Sequence, residues 1–357
     1  MKLKTGLQIF GGITVIFTLL PFIAIDYWWI RVFDFPHFQL TILTLIALVA
    51  YLVRFDLKNR KDYIFMVVLV SCFIYQLAKI YPYTPLAQLE VQDSSSNGSP
   101  PKISIYTANV LQSNSNREKV RHAIKHVKAD ILLFTETDKA WKKSIEEATA
   151  KDYKYKIGMP LANTYGMLLY SKFPLINPAV KFLIEDSIPS IHTLFVLPTG
   201  DTIQLYAIHP SPPMPQHNPS STDRDAELMK IAKTTLKSNY PVLVIGDFND
   251  VAWSESTENF QEVSRLLDPR KGRGFYNTYH ADYFFMRWPL DHIFVSAAFR
   301  VTEIRREKSI DSDHFPIFAN FTFEPNKATE QLAPAPTQGD LEQADKQIES
   351  EIEADKQ

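Results

Sequence analysis

Cysteine is all but absent: Cys72 is the single one in 357 residues, and it lies in an apolar stretch. That excludes an internal disulfide and a cysteine-based zinc site. It leaves the compartment open, because exported domains large enough to bury a core fold without disulfides. Net charge is also scarce. The chain carries −2 overall, and residues 102–324 hold nearly equal numbers of acidic and basic side chains. A basic footprint for sequence-independent gripping of a phosphate backbone is therefore missing.

Apolar residues, by contrast, make up 45% of the chain and crowd toward its N-terminus. Three apolar stretches, 7–25, 38–55 and 63–81, are each about as long as a bilayer-spanning helix. A signal peptide fits poorly, since no small-residue cleavage site follows the first stretch and two further stretches do. Arg54, Lys58, Arg60 and Lys61 lie between the second and third, whereas the first loop holds only Arg31. The positive-inside rule then predicts a multi-pass anchor in the cell membrane with a cytoplasmic N-terminus. Everything after residue 81 falls on the extracytoplasmic side. Trp28 and Trp29 sit where an interfacial aromatic belt is expected.

Residues 82–101 turn to Pro, Ser, Asn and Gly and read as a flexible linker. Residues 325–357 are acidic, with almost nothing large and apolar, and read as a disordered tail. Between them, apolar runs and alternation predict strands at 103–110, 131–135, 166–171, 202–209, 242–246, 291–296 and 314–323. Helices are predicted at 117–127 and 223–237, the second capped by Thr222. Several strands follow one another without a helix, which suits two packed sheets better than one doubly wound sheet.

Polar residues gather where these strands begin or end: Asn109, Glu136, His209, Asp247 with Asn249, Asp291, and Asp313 with His314. Singly, each reads as a turn residue or a helix cap. Together they form a parts list for phosphoryl transfer to water. Carboxylates bind a hard cation that neutralises phosphoryl oxygens, and a histidine held by a carboxylate moves protons.

The runs Thr107-Ala108-Asn109, Leu133-Phe134-Thr135-Glu136, Gly246-Asp247-Phe248-Asn249, Pro289-Leu290-Asp291-His292 and Ser312-Asp313-His314 resemble, in order, the signatures of the endonuclease/exonuclease/phosphatase family. The resemblance covers residues 103–323, is deoxyribonuclease-like, and suits a bacterial-type membrane-anchored member. It implies an α+β fold, a four-layer α/β/β/α sandwich, here preceded by three transmembrane helices. It also implies Mg²⁺, with Mn²⁺ as a substitute, held by Glu136 with Asn109 and Asp313. By the same resemblance, Asp247 and Asn249 position and activate water, while His314, oriented by Asp291, is the acid/base group. His209 is a second histidine on the phosphate, and its carboxylate partner stays unassigned.

Arg287 is a candidate substrate-phosphate ligand, since it leads into the site; Arg270, Lys271 and Arg273 are either phosphate ligands or a solvated loop. The resemblance makes a nuclease the default reading, with a phosphate-ester substrate that is nucleic acid or lipid. A phospholipid- or sphingolipid-type phosphodiesterase or phosphatase is the enzymatic rival. An inactive membrane scaffold or receptor would show decay at a catalytic position, and none has decayed. No obligate protein partner is implied.

Overall fold

The computed structural model describes residues 2–23, 26–95, 100–215 and 218–354. Helices α1 (Lys2–Leu19), α2 (Trp28–Arg31), α3 (His37–Leu52) and α4 (Arg60–Ile80) form the N-terminal unit. Two segments, Lys2–Ile23 and Arg60–Tyr83, are long and apolar enough to cross a membrane; a third crossing exists if Trp28–Asp34 and His37–Leu52, bent by 68°, count as one. The expected second span is thus a shorter helix entered through a kinked, partly buried segment. Outward positions of these helices are apolar, among them Ile13, Ile46, Val49, Ile64 and Val67. Lys4 pairs with Asp62, which places the start of α1 beside the start of α4. At the opposite end, the segment between α1 and α3 rests on the C-terminal domain.

That domain holds strands β1 (Lys102–Asn109), β2 (Ile131–Thr135), β3 (Tyr155–Met159), β4 (Met167–Ser171), β5 (Leu175–Phe182) and β6 (Pro189–Val196). It continues with β7 (Thr202–Ile208), β8 (Val242–Asp247), β9 (Asp291–Val295), β10 (Phe299–Arg306) and β11 (Ile317–Phe323). They form a six-stranded sheet, β10-β11-β1-β2-β4-β3, and a five-stranded sheet, β5-β6-β7-β8-β9. Alternation along the strands divides their side chains between two faces. Ile103, Ile105, Leu133, Leu205, Leu243 and Ile293 meet in the core between the sheets.

Tyr106, Leu132 and Phe134 point the other way, onto α5 (Arg117–Val127) and α6 (Lys139–Thr149). Tyr206, Val244 and Phe294 do the same onto α7 (Thr222–Leu236) and α8 (Glu255–Ser264). The result is the expected four-layer α/β/β/α sandwich. Helix starts follow local chemistry, since the Asp138 side chain accepts from Trp141 N and Ser254 Oγ from Thr257 N. The cap position of α7 is Ser221 rather than Thr222.

Strands β3, β5, β6 and β10 and helices α6 and α8 are not marked by the apolar pattern, and the predicted tail and linker also differ from expectation. Residues 338–354 form a helix, α9 (Gln338–Ala354), in which Ala344 is buried and Leu341 and Ile348 pack against the α7/α8 layer. Acidic composition hid a three-to-four-residue apolar spacing that covers an otherwise bare face. Residues 355–357 of the predicted tail, and 96–99 of the predicted linker, lie outside the described residues. The rest of the linker is held down: Tyr83 and Val91 are buried, and Gly272 N donates to Pro82 O.

Candidate active site

β1 and β2 are parallel, so Asn109 and Glu136 leave the sheet at one edge, and antiparallel β11 begins there after Asp313 and His314. In the other sheet β7 and β8 are parallel and β9 antiparallel, which brings His209, Asp247 and Asp291 to one edge; Asp247 and Asp291 are register partners. Side chains then tie the two edges together. Asn109 Nδ2 donates to Glu136 Oε1 at 2.8 Å and to Asp247 Oδ2 at 3.1 Å. His314 Nδ1 lies 2.8 Å from Asp291 Oδ2.

Asp247 Oδ2 is the centre of the group, with His314 Nε2 at 3.6 Å and His209 Nε2 at 3.9 Å. The close crossing of β7 and β8 needs Gly246, because a Cβ there would stand 1.9 Å from Ile208 O. Glu136 and Asn249 both adopt left-handed backbone, at φ 57° and 52°. For Glu136 that costs on the order of 1 kcal/mol, held by the surrounding fold. Asn249 N donates to Asp247 Oδ1, and Asn249 Nδ2 to Pro210 O.

Among the described residues, no lysine or arginine pairs with Glu136, Asp247, Asp291 or Asp313. The ring nitrogens of His314 and His209 lie 3.6 and 3.9 Å from Asp247 Oδ2 instead. Burial pushes the His314 pKa down, but Asp247, then Asp291 and Asp313, outweigh it and hold it at about 10. His314 is therefore a cation at neutral pH. His209 Nδ1 is buried without a hydrogen-bond partner among the described residues, and Asp247 is the carboxylate nearest its ring.

Ligand-type atoms of Asp247, Asp291 and His314 lie within 4.8 Å of one another. That group differs from the expected metal set of Glu136, Asn109 and Asp313. A protonated imidazole cannot ligate a metal, and Asp291 Oδ2 is committed to it. The oxygens of Glu136, Asp247 and Asp313 remain as the donors that suit a hard cation.

The structure brings together every predicted site residue except Arg287. Its Nη2 donates to Ala281 O, and its guanidinium stacks on Phe284 and Phe315 outside the cavity. The other basic candidates are also occupied. Arg270 grips Asp268 at 2.7 Å and donates to His292 Nδ1, Lys271 pairs with Glu90, and Arg273 pairs with Asp93. Sequence reasoning missed Arg224, buried beneath the site, which pairs with Asp225 and Asp250 and donates to Asn249 O. It also missed Tyr165 and Tyr279, whose rings lie 5.5 Å from His209 and 4.9 Å from His314. Burial, then nearby carboxylates, raises the Tyr165 pKa to about 12, so its hydroxyl stays protonated. No motif spacing marked these residues.

A sandwich with carboxylates and two histidines at the seam of its sheets defines a hydrolytic class. The Endonuclease/Exonuclease/phosphatase family model matches residues 106–314, and the chain belongs to that family. Solved structures agree on the fold. D. rerio TDP2 complexed with single strand DNA product superposes with a TM-score of 0.52 at 14% identity, covering 62% of this chain and 99% of that one. The human Nocturnin catalytic domain with bound sulfate anion gives 0.51 at 18%, over 63% and 96%. The endonuclease/exonuclease/phosphatase from Bacteroides vulgatus gives 0.52 at 18%, over 62% and 99%. No curated protein matches the chain.

Proposed function

We propose that this protein is a membrane-anchored, divalent-metal-dependent phosphoesterase. The observation that carries this reading is the knot of Glu136, Asp247, Asp291 and Asp313 around two histidines, with no lysine or arginine paired to it among the described residues. Such a donor set fits Mg²⁺ or Mn²⁺, with Glu136, Asp247 and Asp313 holding the ion and Asn109 orienting two of them. When bound, the ion supplies charge for the phosphoryl oxygens.

The chain's own residues divide the remaining work. Asp247, fixed by Asn249 N and Asn109 Nδ2, accepts a proton from the attacking water. His314 holds a proton on Nε2 for the leaving oxygen, because Asp291 occupies Nδ1. His209 Nε2 donates to a phosphoryl oxygen on the other side of Asp247. The full chain in detergent, with Mn²⁺ and bis(p-nitrophenyl) phosphate, tests this. Turnover that disappears in His314→Ala is expected, and a wild type that neither hydrolyses the ester nor binds Mn²⁺ refutes it.

The domain is proposed to lie outside the cytoplasm. The basic turn between α3 and α4 lies at the far end of the helices from the domain, beside the paired Lys4 and Asp62. A C-terminal reporter active only in the cytoplasm would overturn that placement.

A further inference from the structure

The cavity above these groups encloses about 390 Å³, and one of its walls is not made by the catalytic domain. Glu136, His209, Asp313 and His314 form its floor, while Trp28, Arg31, Val32 and Phe35 form a side. These four come from the segment between α1 and α3. The segment is fixed in place: Trp28 N donates to Pro219 O at 2.8 Å, Ser221 N to Asp26 O at 2.6 Å, and Trp253 Nε1 to Asp34 O at 2.8 Å. Phe35 also meets Trp288 edge-on. The anchor therefore completes the site.

The wall's chemistry narrows the substrate. A floor of carboxylates and histidines shares the cavity with two aromatic rings, a valine, Met214 and Leu290. A sugar phosphate would leave that apolar surface unused, and a nucleic acid would stack a base on the rings alone, whereas an amphiphile with a phosphate at one end engages the rings, the valine, Met214 and Leu290 together. Arg31 is nine-tenths buried in the wall and is itself occupied: its Nη2 donates to Asp26 Oδ1 at 2.5 Å, and its Nη1 faces Glu255 and Asp34 at 3.6 and 3.9 Å.

The location agrees. α3 starts at His37, two residues after Phe35, and the outward positions of α1 and α3 are apolar, so the wall adjoins helices that suit a bilayer. Beside it, the tip Tyr283-Phe284-Phe285-Met286 is exposed, Phe284 by 72% and Phe285 by 81%, and Gln39 Nε2 holds Phe285 O at 2.8 Å. Consecutive exposed aromatics next to the first turn of α3 form a ledge suited to lipid, not to water.

We propose that the cavity takes the phosphoester headgroup of a membrane lipid from the bilayer in which the chain is anchored. Trp28, Val32 and Phe35 hold the first carbons of the apolar part. In the reaction, the oxygen of water bonds to phosphorus and the P–O bond to the lipid alcohol breaks. The alcohol leaves with the proton from His314, and a water proton passes to Asp247. The phosphate-bearing headgroup departs into water. The inference rests on the phosphoesterase reading.

The full chain, reconstituted with Mn²⁺ in vesicles of phosphatidylethanolamine and phosphatidylglycerol, tests it. Water-soluble phosphate released from the lipid is compared with turnover of bis(p-nitrophenyl) phosphate and of a single-stranded oligonucleotide in the same preparation. Release from lipid is expected, with Trp28→Ala and Phe35→Ala each lowering the lipid-to-soluble-ester ratio of kcat/KM by about tenfold. Because a ratio is read, partial misfolding does not mimic the effect. Hydrolysis of the soluble ester or the oligonucleotide without release from lipid overturns the inference alone, as does an unchanged ratio. A wild type that hydrolyses none of the three overturns the phosphoesterase reading with it.

Discussion

His314 Nδ1 lies 2.8 Å from Asp291 Oδ2, and this bond joins the residue that leads into β11 of one sheet to the first residue of β9 in the other. The same pair holds the imidazole in one orientation and keeps its Nε2 toward Asp247. Catalytic geometry and the packing of the two sheets thus share a contact.

Replacing Asp291 with Asn keeps an acceptor but removes a charge. Turnover should fall by about 10²–10⁴-fold, as expected for a mis-set imidazole. The carboxylates hold the His314 pKa up, so losing one lowers it. The alkaline limb of the pH–rate profile, where His314 loses its proton, should therefore move to lower pH. An unmoved limb would separate Asp291 from the proton on His314.

Glu136 carries both a left-handed backbone and an unpaired charge. Glu136→Gln should cost about 100-fold or more in turnover, while metal-free Tm stays level or rises. Mn²⁺ should raise the Tm of the wild type by mass action and leave the variant unchanged. An equal rise in both would remove Glu136 from the metal site.

Glu227, buried in α7, has its pKa raised from 4.5 to about 8 by burial and then by Glu185. The folded state keeps a proton there that the unfolded chain gives up above its ordinary pKa. Stability is therefore full below pH 4.5 and falls as pH rises toward 8, by roughly 1.4 kcal/mol per pH unit. Glu227→Gln should match the wild type in Tm at pH 4 and exceed it at pH 8. Parallel curves across that range would contradict the assignment.

Ala344 tests whether the acidic C-terminal segment belongs to the domain. It is 1% exposed on the face of α9 that packs against the α7/α8 layer. Ala344→Asp should destabilise by roughly 2–4 kcal/mol, read as a lowered Tm, with metal binding retained in the folded protein. A solvated tail would tolerate the change without effect.

Much of this molecule is written in local pattern. The alternation of Ile103, Ile105 and Thr107 against Tyr106 and Ala108 shows β1 and its two faces, and the motif at Gly246–Asn249 marks a strand that ends in chemistry. The apolar runs show helices that would span a bilayer. These features depend on neighbours a few residues apart, so a sequence displays them. Four of the missed elements, α6, α8, β5 and β10, have mixed polarity, and α9 has a sparse apolar stripe that only its bare partner face makes meaningful.

Contacts between distant segments needed the tertiary structure. It placed Asp247 between two histidines, spent Arg270 and Arg273 on Asp268 and Asp93, and removed Arg287 from the cavity. It also put Trp28 and Phe35, from the N-terminal unit, on the same cavity as Glu136 and His314. Sequence alone determined which groups could perform the chemistry, because residue type and strand position carry that information. Only the folded chain decided which of them face one another and what walls the cavity, because those contacts join residues from opposite ends of the chain.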